Sequence, residues 1–221
     1  MKTLVKTLLI AILLVECGYS QNINWRSIGP DQRNVIQLNG GYDFGAIAQI
    51  GYARSFSLIR PIVAGLDFSF PMGSSLTDDF KIRLGGQVEV VEIGGFSATI
   101  KIFSNFRRYE TQMVRIVSFG SDFGLLAGYY ASTWYAAGEF GFDKAIASQL
   151  KHSDIMRANF PAIRDGWYLP TGGNYYYGIQ GGKTIGEMFE LSLRLGATSA
   201  QDHDENAAIP LYLQLGLGMR F

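Results

Sequence analysis

The last eleven residues alternate without a break. Leu211, Leu213, Leu215, Leu217, Met219 and Phe221 fall on one face of an extended chain, and Tyr212, Gln214, Gly216, Gly218 and Arg220 on the other. Successive side chains of a strand leave opposite sides of the pleat, so this period of two predicts β-structure. The segment before it repeats the pattern, with Phe189, Leu191, Leu193, Leu195 and Ala197 against Met188, Glu190, Ser192, Arg194 and Gly196. In both, the charge sits on the glycine-rich face.

Stretches of the same character recur along the chain. They run Val35 to Asp43, Ala46 to Phe56, Arg60 to Phe70, Phe80 to Glu92, Phe96 to Arg107, Val114 to Tyr130, Trp134 to Phe142, Tyr175 to Thr184, Met188 to Ala197, and Leu211 to Phe221. Ten strands are expected, with eight as the alternative. Most reach the ~9–11 residues that a tilted strand needs to cross a bilayer. Their polar faces carry Asp43, Asp67, Arg83, Glu89, Lys101, Arg107, Asp122, Glu139, Glu190, Arg194 and Arg220, while their apolar faces carry almost no charge.

Alternation alone also fits a soluble sandwich with an apolar core, and that alternative stays open. The number and length of the strands favour an all-β, closed, antiparallel up-and-down transmembrane barrel with lipid outside and a packed polar lumen. A soluble ligand-carrying barrel would show the inverse, an apolar cavity within a charged exterior.

Residues 1–20 have the layout of a secretory signal: Lys2 and Lys6, then apolar Leu8 to Val15, then small Gly18 and Ser20, with cleavage expected before Gln21. Removing Lys2, Lys6 and Glu16 leaves 17 basic and 18 acidic residues. Such a balance offers no surplus of cations for a nucleic acid. Cys17 is the only cysteine and leaves with the signal, so no disulfide or thiolate metal site is expected. Lipidation at Cys17 is the alternative, although Glu16 stands where a small residue is needed. No later apolar run approaches the ~20 residues of a membrane-spanning helix. Residues 21–34 are expected to form a periplasmic N-terminal segment and 35–221 the barrel.

Connection lengths set an orientation. Turns near Ser57, Gly94–Gly95, Ala131–Thr133 and Ile185–Gly186 are short and are assigned to the periplasmic side. Pro71–Asp79, Arg108–Met113, Asp143–Asn174 and Thr198–Pro210 are longer and are assigned outside, while the first outer turn, near Phe44–Gly45, is tight. Tyr129, Tyr130, Trp134 and Tyr135 are expected at the inner interface, and Phe68, Phe70, Phe140, Phe142, Tyr175 and Tyr177 at the outer one.

The leader followed by Gln21, the alternating strands and the terminal Leu-Gly-Leu-Gly-Met-Arg-Phe resemble small outer-membrane barrels of the OmpA and OmpX type, particularly those common in Bacteroidota. The resemblance implies an outer-membrane location and a final strand, marked by Leu215, Leu217, Met219 and Phe221, that is read by the barrel-assembly machinery. It also implies contact with outer-membrane lipid and with other outer-membrane proteins.

Candidate chemistry is sparse. The longest outer segment, Asp143 to Asn174, is expected to open with a short helix capped by Asp143, with Ile146 and Leu150 on one face, and then to turn irregular. Segments this long are usually functional or disordered, and the apolar and aromatic content here argues for order. A plug, lid or contact surface is therefore expected, with a loop that merely folds over the barrel rim as the alternative. His152, Trp167 and Tyr168 are candidate outer contacts, as is His203 in the last loop. Asp78-Asp79 and Asp202-His203-Asp204-Glu205 evoke the acid and Asp-His pairs of ten-stranded outer-membrane proteases. However, sequence neighbours in extended backbone point apart, and a solvated acidic loop fits better. Gly178 and Gly182-Lys183-Thr184 miss phosphate-loop spacing by one residue. No catalytic, cofactor or metal residue is assigned. The lumen charges Asp67, Arg83, Glu89, Lys101, Asp122, Glu139, Glu190, Arg194 and Arg220 are expected to pair with one another, with Lys101 and Arg220 serving Glu89 and Glu190. A thin pore lined by these charges is the alternative. The functional expectation is a structural or interaction barrel that presents its outer loops.

Overall fold

The computed structural model describes residues 24, 27–28, 31–43, 45–72, 77–169, 172–202 and 209–221. The expected leader, residues 1–20, lies outside the described residues, as does His203.

Eleven strands form one antiparallel sheet: β1 (Asn34–Tyr42), β2 (Ala46–Ser57), β3 (Pro61–Pro71), β4 (Asp79–Ile93), β5 (Phe96–Glu110), β6 (Val114–Tyr130), β7 (Trp134–His152), β8 (Gly166–Tyr168), β9 (Gly173–Ile185), β10 (Phe189–Ala200) and β11 (Leu211–Arg220). The final strand turns back on the first, from Val35↔Arg220 to Tyr42↔Leu213. With β6 on β7 and β7 on β9, ten strands close into a barrel. Closure leaves no free sheet edge over the height that all ten strands share. Only β8 stands outside the ring, paired with Ser148–Leu150 of β7.

Both described termini and the short turns gather at one end of the barrel, the turn end. At the tightest of these, Ile93 faces Phe96 across Gly94 and Gly95, whose φ angles of 55° and 98° suit the two-residue hairpin that follows strand twist. The opposite end carries the longer connections. Two of them are shorter than expected. β5 and β6 are joined by only residues 111–113, and β7 runs on to His152.

The barrel therefore has a tall side. β6 and β7 span 17 and 19 residues, against 9 for β1 and 10 for β11. β9 reaches only from Trp134 to Lys144 of β7, and β8 covers part of the edge of β7 beyond it. The expected helix at Asp143 is corrected: residues 143–152 extend β7 against β6, as far as Val114↔His152. The spacing of four between Ile146 and Leu150 suits a strand face as well as a helix. A bulge between Phe119 and Gly120 of β6 leaves Ile146 unpaired and exposed. The one helix among the described residues, α1 (Asp154–Asn159), follows instead, with Ser153 as its N-cap accepting from the Met156 amide at 3.2 Å.

Candidate functional site: the filled lumen and the outer face

Alternation places the charges inside. Asp67, Arg83, Glu89, Lys101, Asp122, Glu139, Glu190, Arg194 and Arg220 are all buried. Leu213, Leu215, Leu217 and Phe221 of the closing strand are exposed outward. The fold is thus apolar outside and polar inside, opposite to a soluble barrel that holds an apolar ligand.

At mid-height the inward side chains join across the barrel. Asn39 Nδ2 donates to Gln49 Oε1 at 2.9 Å, and Gln49 Nε2 to Asp67 Oδ1 at 2.7 Å. Arg83 grips Asp67 through two bonds of 3.0 and 3.2 Å and reaches Asp122 at 3.3 Å. The Tyr176 hydroxyl donates to Asp122 at 2.6 Å. Glu139 receives Arg194 and, at 2.8 Å, the Tyr212 hydroxyl. Lys101 lies 3.8 Å from Glu139, and Arg194 also donates to Gln214 at 2.9 Å. These residues come from all ten barrel strands. Three acids, Asp67, Asp122 and Glu139, face three bases, Arg83, Lys101 and Arg194, so the layer is neutral. Buried ions persist only when paired and hydrogen-bonded in this way.

Tyrosine rings fill the space between the ions. Arg194 lies 4.4 Å from the Tyr212 ring centre and Lys101 4.9 Å from that of Tyr176. The glycines of the polar faces make room for them: a methyl at Gly196 would strike the Tyr212 hydroxyl, and one at Gly141 the Tyr176 ring. A void of about 30 Å³ beside Gln37, Val63, Asp67, Gln87 and Phe103 has room for about one water.

Nearer the turn end the lumen changes character. Val35, Ala53, Val63, Ala137, Tyr130 and Tyr135 form a buried apolar layer against which Ile28 packs. The rings of Tyr130 and Tyr135 stack 5.4 Å apart at 5°. These two tyrosines were expected at the membrane interface; they belong to the interior, because each neighbours an outward aromatic and so takes the other face of the pleat. Below them Arg220 bonds Glu190 at 2.9 Å, Thr184 at 2.8 Å and the Ser27 carbonyl at 2.7 Å. Buried Asn24 donates to the Ala131 carbonyl at 2.9 Å, which places Asn24 in the barrel mouth. The expected Glu190–Arg220 pair is present. The expected Glu89–Lys101 pair is not: Lys101 turns toward Glu139, and Glu89, opposite Thr99, takes the Ser97 hydroxyl.

Toward the loop end, Asp143 accepts from Lys81 at 2.5 Å and Asn105 at 2.7 Å, and Arg107 holds Asp79 through bonds of 2.8 and 2.7 Å. Beyond the barrel, Asp165 accepts from the His152 amide at 2.8 Å and from Arg157 at 2.9 Å, and its carboxylate lies 2.9 Å from the His152 ring. The His152 amide, then its ring, holds the Asp165 carboxyl below the usual carboxylate range. This clasp ties α1 to both β7 and β8. Trp167 and Tyr168, expected in an irregular loop, lie on β8.

Aromatics order the outer face. Phe70, Phe68, Phe80, Phe106, Phe119 and Trp167 follow one another from β3 to β8 with ring centres 5.2 to 6.0 Å apart. Phe142, Tyr175 and Phe140 lie beyond them on β7 and β9. A second row, Phe96, Tyr129 and Trp134, stands near the turn end with contacts of 5.4 Å. On both β5 and β6 the rows are ten residues apart. At ~3.4 Å per residue and a tilt of ~35–45°, that is roughly 24–28 Å of height.

Sequence reading missed Tyr176, Tyr212, Gln49, Asn39 and Gln214 as partners in the central layer. Their signal was polarity on the charged face of a strand, which identifies an inward position without identifying a contact. No known protein-family profile matches the chain, and a search of curated proteins finds no match either.

Proposed function

We propose that the chain is an integral outer-membrane barrel with a sealed lumen, acting as a structural or interaction element that presents its loop end outside. One observation carries the reading: an outward apolar face, bounded on β5–β7 by two aromatic rows, surrounds a lumen whose central layer of charges is mutually neutralised. The band height matches the ~25 Å of membrane barrels, and aromatic rows suit the two water–lipid interfaces. On β5–β7 the outward positions between the rows, among them Ile102, Phe123 and Leu125, are uncharged. In lipid such a surface needs no further partner, whereas in water it would be a large exposed apolar patch.

The turn end would face the periplasm and the loop end the exterior, after export on the leader. Leu215, Leu217 and Met219 on the outward face of β11, with Phe221 just past its end, suit recognition by the assembly machinery, in line with the resemblance to small outer-membrane barrels. The neutral central layer supports a sealed barrel over a narrow pore, because an ion passing through would have to break paired charges. Purified mature protein is expected to require detergent and to insert into vesicles. Monodisperse protein in detergent-free buffer would refute the membrane reading.

A further inference from the structure

We infer that the outward face of the tall side, at Arg115 and Lys151 beside Arg108, docks the phosphate of an anionic lipid headgroup. The inference rests on the membrane reading and adds a binding site to it.

Register fixes the geometry. Ser118 and Ser148 are opposite one another and meet through their hydroxyls at 2.8 Å on the inward side. Phe119 points the other way, against Phe106 and Trp167. Alternation then sends Val117 and Arg115 of β6 outward, with Gln149 and Lys151 opposite them on β7. Arg108, opposite Val117, shares that face.

Arg115 and Lys151 are thus direct cross-strand neighbours of like charge, an arrangement that is destabilising by itself. Arg108 is paired with Glu110, which also stands opposite Arg115 on this face, yet among the described residues neither Arg115 nor Lys151 has an ion pair, so three cations face one carboxylate here. An anion between the two cations would relieve the repulsion, and the arginine fork offers two parallel donors to phosphate oxygens.

Height selects the source of the phosphate. Arg108 lies two residues beyond Phe106, and Arg115 four beyond Phe119, or roughly 5 and 10 Å above the aromatic row at the same tilt. The headgroup layer is about 5–8 Å thick on each side of the hydrocarbon, and long cationic side chains bend toward it. Acyl chains lying along Phe106, Phe119 and Trp167 would bring a lipid phosphate to the two cations. A free phosphate would gain nothing from those rings.

The test uses the full barrel reconstituted in micelles, with insertion into vesicles scored on the same preparation. Native mass spectrometry compares bound phosphatidic acid with phosphatidylcholine, with inorganic phosphate added as competitor. Wild type is expected to prefer phosphatidic acid, and the double variant Arg115→Gln/Lys151→Gln to lose roughly 25-fold in affinity, at about fivefold per cation near the surface. Lys183→Gln, on β9 near the turn end, is expected to keep the preference. Equal retention of both lipids by inserted wild type, or an unchanged double variant, overturns this inference and leaves the membrane reading standing. Efficient competition by millimolar inorganic phosphate also overturns it, by assigning the cations to a free anion. Wild type that fails to insert overturns both.

Discussion

Two layers of different chemistry cross the lumen. The central layer is ionic: Arg83 serves Asp67 and Asp122, while Arg194 and Lys101 serve Glu139. The layer near the turn end is apolar, with Tyr130 stacked on Tyr135 among Val35, Ala53, Val63 and Ala137. The ionic layer requires every strand in register, since each charge answers one on another strand. The apolar layer asks only that volumes fit, and tolerates repacking. One layer specifies the barrel and the other fills it.

The largest effect should separate them. Arg83→Ala strands two buried carboxylates and is expected to cost about 3–5 kcal/mol, the scale for breaking a buried pair from one side. Urea unfolding in detergent measures it, and a cost under about 1 kcal/mol would show that the layer is not a coupled network. Tyr135→Ala removes a fully buried ring and is expected to cost about 3 kcal/mol, as aromatic truncations in cores do. Refilling the site with a ring, as in Tyr135→Phe, should recover most of that loss, whereas Arg83→Met should recover much less.

That contrast also explains what was legible in the sequence. Charges on alternating positions announce themselves, so the nine lumen ions, the ten strands and the closing strand could be read directly. Tyr130, Tyr135, Val35 and Val63 are apolar residues on the polar face, exceptions to the pattern that identified the strands. Which acid meets which base depends on rotamers and stagger across the barrel, so Glu190 with Arg220 was legible while Lys101 with Glu139 was not. The extension of β7 past Asp143 escaped because a bulge interrupts its alternation at Ile146.

Smaller effects probe the ends. Asn24→Ala removes the bond to the Ala131 carbonyl and is expected to cost about 1 kcal/mol, read as faster proteolysis of the N-terminal segment and not as loss of the barrel. At the loop end the Asp165 carboxyl titrates lower when folded than when unfolded. Its contribution is therefore complete above the usual carboxylate range and is lost as pH falls through the folded value, below roughly pH 4. Hydrogen exchange in α1 and β8 should rise over that window while the barrel strands stay protected, and Asp165→Asn should abolish the pH dependence.

Single-channel recording of wild type in planar bilayers tests the sealed membrane barrel most directly, with insertion verified by protease protection in vesicles from the same preparation. The account predicts inserted barrels that carry no steady current across the bilayer. Stable ohmic steps from inserted wild-type protein would contradict it.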